Sequence, residues 1–492
     1  MIGTQAAGKA GRDTMGQGAD TDVSSGHVGV LPARRGFRQL AGGVRDWLRS
    51  ELFLRTETGP VGWRKILLGL AFVVAGTAVA LARTRGPGAL NTIWIEDAKF
   101  LLPQALTHSF WVCVNTPISG YYQESARLVT ELAVQFPVRL MPAVMSVGAA
   151  AQYACYGLVA YIASGPHLRT PWLRLLVAAP VCAIPLAYTQ VDVDLVTVQF
   201  VALYGAFWAL LWIPGTRAGR ILSPLVMLSV ATTTVLVVVY APLLAARLIA
   251  DRSKNAVFLA CCWLAGVALE MSPTLRGVAR HDQYPYNGPL FVLENYASRV
   301  VPRALFGESA LGGPGTDYRG NPAPLHITSQ AGHDILIAAA WLVVAVVLVA
   351  AATRLTSPDW PLVVTAALFS VGVFTAEMLV NVPTVQPRYA VAPALLLYVV
   401  IVAALRPRAP LGSGSASLKM TSADFGWLLV SGFTVLLAVA VALNFRVTNG
   451  RTDSPPWTTV VTQAEAACAR PGVTAYTYTH EWWQTRIPCS RL

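Results

Sequence analysis

Glu96 and Asp97 stand side by side in WIEDAKFLLPQ, residues 94–104, among Trp94, Ile95 and Phe100 and shortly after the first strongly apolar run. Burying a charge without a partner is costly, so such a pair is either a solvated turn or part of a site. A hydroxyl is a poor nucleophile until a carboxylate takes its proton. A second carboxylate nearby can raise the first one's pKa toward working pH. The bland alternative is that Asp97 caps the helix that follows.

Four further groups have side chains that do chemistry. Arg388, followed by Tyr389 in QPRYAVAP, offers a guanidinium suited to an anionic phosphate that gains charge as it leaves. A snorkelling interfacial arginine would have the same sequence. Asp192 and Asp194 alternate in TQVDVDL. Carboxylates so spaced suit a divalent cation such as Mg or Mn, and equally an ordinary solvated turn. His281, Tyr284 and Tyr286 in RHDQYPYNG offer stacking on a sugar or contact with a phosphate. Trp457, Tyr478, Trp482 and Trp483 suit carbohydrate or the membrane interface.

These residues are set in an unusual background. The 492 residues are 54% hydrophobic and only 13% charged, against roughly a quarter charged in a soluble domain. Several apolar runs reach the ~20 residues that cross a bilayer. Spans are predicted near 66–84, 139–164, 173–189, 195–213, 255–272, 333–353, 360–381, 389–406 and 425–445. The run 221–250 is too long for one helix and contains Thr232–Thr234 and Pro242, which predicts a hairpin of two short helices within the membrane. The expectation is an all-α polytopic membrane protein of about eleven transmembrane helices, its net charge of +12 marking the cytoplasmic face and anionic lipid rather than nucleic acid.

Orientation follows from the short loops. With the N-terminus inside, the inner loops hold Arg169, Arg174, Arg217, Arg220, Arg247, Arg252, Lys254, Arg354, Arg406, Arg408 and Lys419; the outer ones hold Arg388. Residues 1–36 read as a disordered cytoplasmic tail and 37–60 as a basic amphipathic helix on the inner leaflet. Residues 61–445 form the membrane domain, with outer loops at about 85–138 and 273–332. Residues 446–492 form an extracytoplasmic tail, where Cys468 and Cys489 are placed to bridge in an oxidising space. No CxxC or His/Cys cluster suggests zinc.

The first outer loop has helical apolar spacing over 97–107 and 124–136, with turn chemistry at Thr116, Pro117, Ser119 and Gly120. Leu128, Leu132 and Ala133 are expected to share a face of the second helix, both helices lying on the membrane surface. Residues 289–306 have similar spacing and read as an amphipathic lid over the site.

The stretches WIEDAKFLLPQA, GYYQESARLVTELAVQFP, the polar turn before VQFVALYGAFWALLW, and QPRYAVAP resemble the GT-C glycosyltransferases, and within them multi-span actinobacterial members. EWWQTRIPCSRL adds to that likeness, which runs over residues 60–492 in short, degenerate motifs. It implies a GT-C-like bundle and transfer of a sugar from a polyprenyl-phosphate donor to a cell-envelope glycan, glycolipid or protein acceptor. The resemblance places Asp97 as catalytic base, with Glu96 as second choice; Tyr121, Tyr122, Arg127, Arg388 and Tyr389 lie in its motifs and are candidate substrate contacts, and His281 joins them on its own chemistry. A transporter or lipid-linked sugar flippase, or a non-catalytic partner in cell-envelope assembly, uses the same composition. The orientation has a direct check: an external thiol reagent should label an engineered cysteine near residue 455 but not one near 413. The reverse pattern would put Asp97 on the cytoplasmic side.

Overall fold

The computed structural model describes residues 42–56, 58–118, 120–186, 193–277, 288–311, 329–381, 386–408, 422–446, 451–481 and 483–492. The disordered tail predicted at 1–36, together with Asp192, His281, Tyr284, Tyr286 and Trp482, lies outside them. Residues 45–492 form one compact unit.

Among the described residues seven helices are long and apolar enough to cross a membrane: Trp63–Ala82, Val138–Ala163, Lys254–Leu275, Gln330–Ala352, Trp360–Leu379, Pro387–Ala404 and Asp424–Asn444. The molecule is a multi-span helical membrane protein. The other four predicted segments are also helical but shorter, so seven of the expected eleven reach crossing length among the described residues. In chain order the helices used below are α1 (Trp63–Ala82), α2 (Leu102–Thr107), α3 (Phe110–Val114), α4 (Glu124–Ala133), α5 (Met141–Ala163), α6 (Pro171–Ala178) and α7 (Val198–Leu211). Then come α8 (Arg217–Ala231), α9 (Ala241–Ala250), α10 (Lys254–Leu275), α11 (Gly288–Asn295), α12 (Val301–Phe306), α13 (Gln330–Ala352), α14 (Trp360–Asn381), α15 (Val391–Ala404), α16 (Ser422–Asn444) and α17 (Trp457–Cys468).

Shortness has a reason in α7. Its 14 residues rise ~21 Å, less than the ~30 Å of hydrocarbon. All but Gln199 are buried, so its neighbours are protein, as they are for the fully buried α15. Lipid exposure falls instead on α1, where only Ala80 is buried.

Helices α8 and α9 form the predicted hairpin. The start of α8 meets the chain just after α9: Asn255 Nδ2, at the beginning of α10, donates to the Arg220 carbonyl at 2.6 Å. The three threonines make the tip, with Thr234 Oγ1 accepting from the Leu236 N–H at 3.3 Å. At Gly266 of α10 an added Cβ would lie 2.4 Å from the Ala231 Cβ, so the glycine permits the close approach of α8.

Several local expectations change. The basic stretch is helical only as far as Leu52, not to residue 60, because Phe53 (φ −100°, ψ 68°) leaves helical geometry. In α4, Leu128 and Leu132 face outward while Ala126, Arg127, Thr130 and Ala133 are buried, so Ala133 does not share the leucine face. An apolar face turned outward is what an interfacial helix presents to lipid. The segment Gly288–Phe306 packs on the bundle, with the Tyr296 hydroxyl 2.7 Å from Ser370 Oγ.

The tail is not all helix. Alternating residues in AYTYT and QTRIP make two antiparallel strands, β1 (Ala475–Thr479) and β2 (Gln484–Pro488), with Tyr476 opposite Ile487. Strand β2 packs on α2. Cys468 and Cys489 are joined, Cα atoms 5.5 Å apart, which ties the end of α17 to the end of β2. A loop of this length is expected to lose about 3 kcal/mol when its bridge is removed. Replacing both cysteines by serine should therefore speed hydrogen exchange and proteolysis within 451–492 while leaving the spans protected. Unchanged exchange in the tail would show that the bridge does not hold it.

Candidate functional site

A partly open cavity of about 140 Å³ collects residues from six separated stretches of chain. Glu96 enters it from the start of the helical turn that leads to α2. Tyr121 and Gln123 come from the first outer loop, Thr197, Gln199 and Phe200 from the start of α7, and Thr234 from the hairpin tip. Glu377 comes from α14, and Arg388 with Tyr389 from the 3-10 turn Pro387–Ala390 that opens α15. No residue of Gly288–Phe306 is among the described lining, so the predicted lid does not wall this cavity.

Arg388 faces Glu96 across the space, its Nη1 3.7 Å from Glu96 Oε1. The guanidinium also lies over two rings, 5.8 Å from the Phe200 centroid and 5.6 Å from that of Tyr389. Cation–π contact of this kind holds the planar group in place. Its buried Nε–H has no hydrogen-bond partner among the described residues. An unmet buried donor on a cation is a ready seat for an anionic oxygen.

The two adjacent carboxylates have different surroundings. Asp97 is not in the lining; it is buried beside Asp194, and the Leu195 N–H donates to its Oδ2 at 3.2 Å. Burial pushes its carboxyl up to about 6, against the bond with Asp194, the Leu195 N–H and the Arg451 charge. Burial, and then the neighbouring Asp97 and Glu96 charges, hold Asp194 well above the usual carboxylate range. The Thr197 N–H donates to Asp194 Oδ2 at 3.3 Å. Among the described residues no group of three or more His, Cys, Asp or Glu gathers as a metal site. Asp194 and Asp97 bring two carboxyls together, while Asp192, the other half of the alternating pair, lies outside the described residues.

The Tyr121–Tyr122 turn is built from inside. Gly120 (φ 93°) permits the reversal between Ile118 and Tyr121, whose backbones pair at 2.7 and 3.0 Å. Glu270 of α10, fully buried, accepts the N–H groups of Tyr122 and Gln123, each at 3.0 Å. That bidentate grip holds Gln123 in the left-handed region, φ 53°, which non-glycine residues avoid. Arg127 is engaged beneath the turn: Nε donates to the Tyr122 carbonyl at 2.8 Å, Nη1 to Gln104 Oε1 at 3.0 Å and Nη2 to the Thr116 carbonyl. Its donors thus hold the loop, while Tyr122 is buried outside the lining. Burial, with the Glu377 and Glu270 charges, pushes the Tyr121 phenol up to about 12, so it stays a hydrogen-bond donor.

Of the residues expected against substrate, the fold therefore gathers Glu96, Tyr121, Arg388 and Tyr389. Sequence reasoning did not place Glu377, Gln123, Thr197, Gln199 or Thr234 there. Glu377 had a signal, being an ionisable residue near the end of an apolar run.

The class defined by this architecture is a multi-span membrane protein with a polar cavity walled by both halves of the chain. No protein-family model matches the chain, and no curated protein matches it. Among solved structures it is similar to the cryo-EM structure of arabinofuranosyltransferase AftD from mycobacteria, at 14% identity and a TM-score of 0.41. That likeness covers 80% of this chain and 27% of the other, so the chain spans about a quarter of its length. A likeness of this size carries no argument about the reaction.

The Glu270 grip is testable. Glu270→Gln puts an amide donor where one N–H needs an acceptor, a loss of about 1–3 kcal/mol for the group left unmet. Thermal unfolding in detergent should register the loss. An unchanged melting temperature would mean that the turn holds without the carboxylate.

Proposed function

We propose that this chain is a membrane glycosyltransferase of the GT-C kind. It moves a sugar from a polyprenyl-phosphate donor to an extracytoplasmic glycan, glycolipid or protein acceptor. The carrying observation is the loose Glu96–Arg388 pair, 3.7 Å apart across the cavity, with the Arg388 Nε–H still unmet. The sequence resemblance of the segments that bear these two residues supports the same reading.

In this reading the donor's phosphate takes Arg388, which frees Glu96 to meet the acceptor. Glu96 takes the acceptor hydroxyl's proton as its oxygen bonds to the anomeric carbon. The bond from that carbon to the phosphate oxygen breaks, and the phosphate departs with the electron pair. Arg388 steadies the charge that develops there, with Tyr121 as a further O–H donor. The base role goes to Glu96 rather than Asp97, because Glu96 lines the cavity and Asp97 does not. Residues 1–60 then lie inside, and the cavity and residues 446–492 lie on the extracytoplasmic side.

A transport reading draws on intramembrane acids such as Glu270 and Glu377, and Glu270 is engaged by two backbone N–H groups. Purified protein incubated with a panel of polyprenyl-phosphate sugars separates the two readings, since an enzyme consumes donor and yields a glycosylated product.

Glu96→Gln should lower transfer by about 10²–10⁴-fold, the usual loss of a general base. Asp97→Asn should cost less, and Arg388→Ala should chiefly weaken donor use. Normal transfer by Glu96→Gln with none by Asp97→Asn exchanges the two roles. Normal transfer by both sinks the catalytic reading.

A further inference from the structure

We propose that Gln199 reads a hydroxyl of the donor's sugar through its side-chain carboxamide, which makes it a specificity-determining residue of this cavity. The inference rests on the donor reading above and adds the residue that recognises the sugar.

The sequence of α7, VQFVALYGAFWALL, holds one carboxamide among apolar and aromatic residues. Every other residue of the helix is buried, and Gln199 lines the cavity. Its exposure is therefore exposure to that space. Among the described residues its carboxamide makes no hydrogen bond, and neither of its polar atoms is closed off as Oε1 of Gln123 is. A carboxamide without partners inside a packed bundle is costly, and nothing in the packing of α7 calls for one. Other polar groups of the wall are held by the fold. The Thr197 N–H and hydroxyl both turn to Asp194, at 3.3 and 3.0 Å, and Thr234 Oγ1 accepts from the Leu236 N–H. Glu96 and Arg388 face each other. Gln199 keeps both a donor and an acceptor open to the cavity.

Chemistry then selects its partner. A carboxamide donates and accepts, and so does a sugar hydroxyl, whereas an ionised phosphate oxygen only accepts. The hydroxyl thus matches the amide on both sides. Position agrees, because Gln199 precedes Phe200, whose ring centroid lies 5.8 Å from the Arg388 guanidinium. A phosphate on Arg388 is bonded directly to the sugar it carries. In about 140 Å³ that ring has little room outside the reach of Gln199. A site built to bond a hydroxyl rejects the analogue that lacks it, since its own polar group is then left unmet.

The test uses the full chain in lipid nanodiscs. The probes are a short-chain polyprenyl phosphate, its hexose and pentose conjugates, and the monodeoxy forms of the tighter conjugate, each competing against a fluorescent polyprenyl phosphate. Wild type should bind the tighter conjugate at least about tenfold better than bare polyprenyl phosphate, and one monodeoxy form should lose about tenfold. Gln199→Met keeps the length and helix propensity without the amide. It should lose the same factor on the full sugar and nothing further on that monodeoxy form. Such non-additivity marks a direct contact, whereas a purely structural role weakens every probe alike. Gln199→Leu is the second apolar variant, and melting temperatures identify a variant that does not fold. If neither folds, the carboxamide holds the bundle and the inference falls. Equal weakening of bare phosphate and conjugates, full additivity with every monodeoxy form, or unchanged binding of the conjugates overturns it. So does a wild type that binds bare polyprenyl phosphate and gains nothing from either sugar. If no probe binds wild type, bare phosphate included, the donor reading itself fails.

Discussion

The guanidinium of Arg451 donates to the carbonyls of Ala89, Thr92 and Val193 and to the hydroxyls of Thr92 and Ser146, at 2.5–3.1 Å. It is 3% exposed, and its charge reaches Asp97 and Asp194. A buried carbonyl without a donor costs about 1–3 kcal/mol, and few groups other than a guanidinium can serve five acceptors from one point. Ala89 and Thr92 precede the Glu96 turn, Val193 precedes the Thr197 wall, and Ser146 belongs to α5. The segments that lead into two parts of the cavity wall are thus fastened by one side chain that follows α16.

The same arrangement explains how two neighbouring carboxylates come to differ. Successive residues on a helix point ~100° apart. Once the turn that begins at Ile95 is seated, Glu96 reaches the cavity and Asp97 turns inward to Asp194 and the Leu195 N–H. An acidic pair in a sequence carries no sign of which member turns which way. That depends on partners 98 residues or more along the chain, Leu195 and Arg451 among them.

What could be read directly was whatever depends on local composition. The apolar runs, the hairpin within 221–250 and the turn at Gly120 are written in short stretches, and each has its physical cause there. Span length was less legible because an apolar run looks the same against lipid and against protein. Helices α7 and α15 are surrounded by the bundle, and nothing in their residues says so. The tail hairpin was missed because AYTYT and QTRIP are short and their pairing depends on a turn between them. Arg127 resembled a substrate ligand because the sequence hides its three acceptors, two of them carbonyls in other parts of the loop. Glu377 and Arg388 were visible as oddities in apolar surroundings, but their meeting with Glu96 is a product of tertiary packing.

Arg451 also sets an order of events during biosynthesis. The segments it fastens, at Ala89, Thr92, Ser146 and Val193, are made long before it. Until residue 451 clears the ribosome and reaches the same side as they do, three carbonyls of those segments lack this donor. A nascent chain stalled before α16 therefore has every described residue of the cavity wall but lacks the Arg451 donor. Completion of these contacts therefore waits on a residue that lies beyond every described residue of the cavity wall.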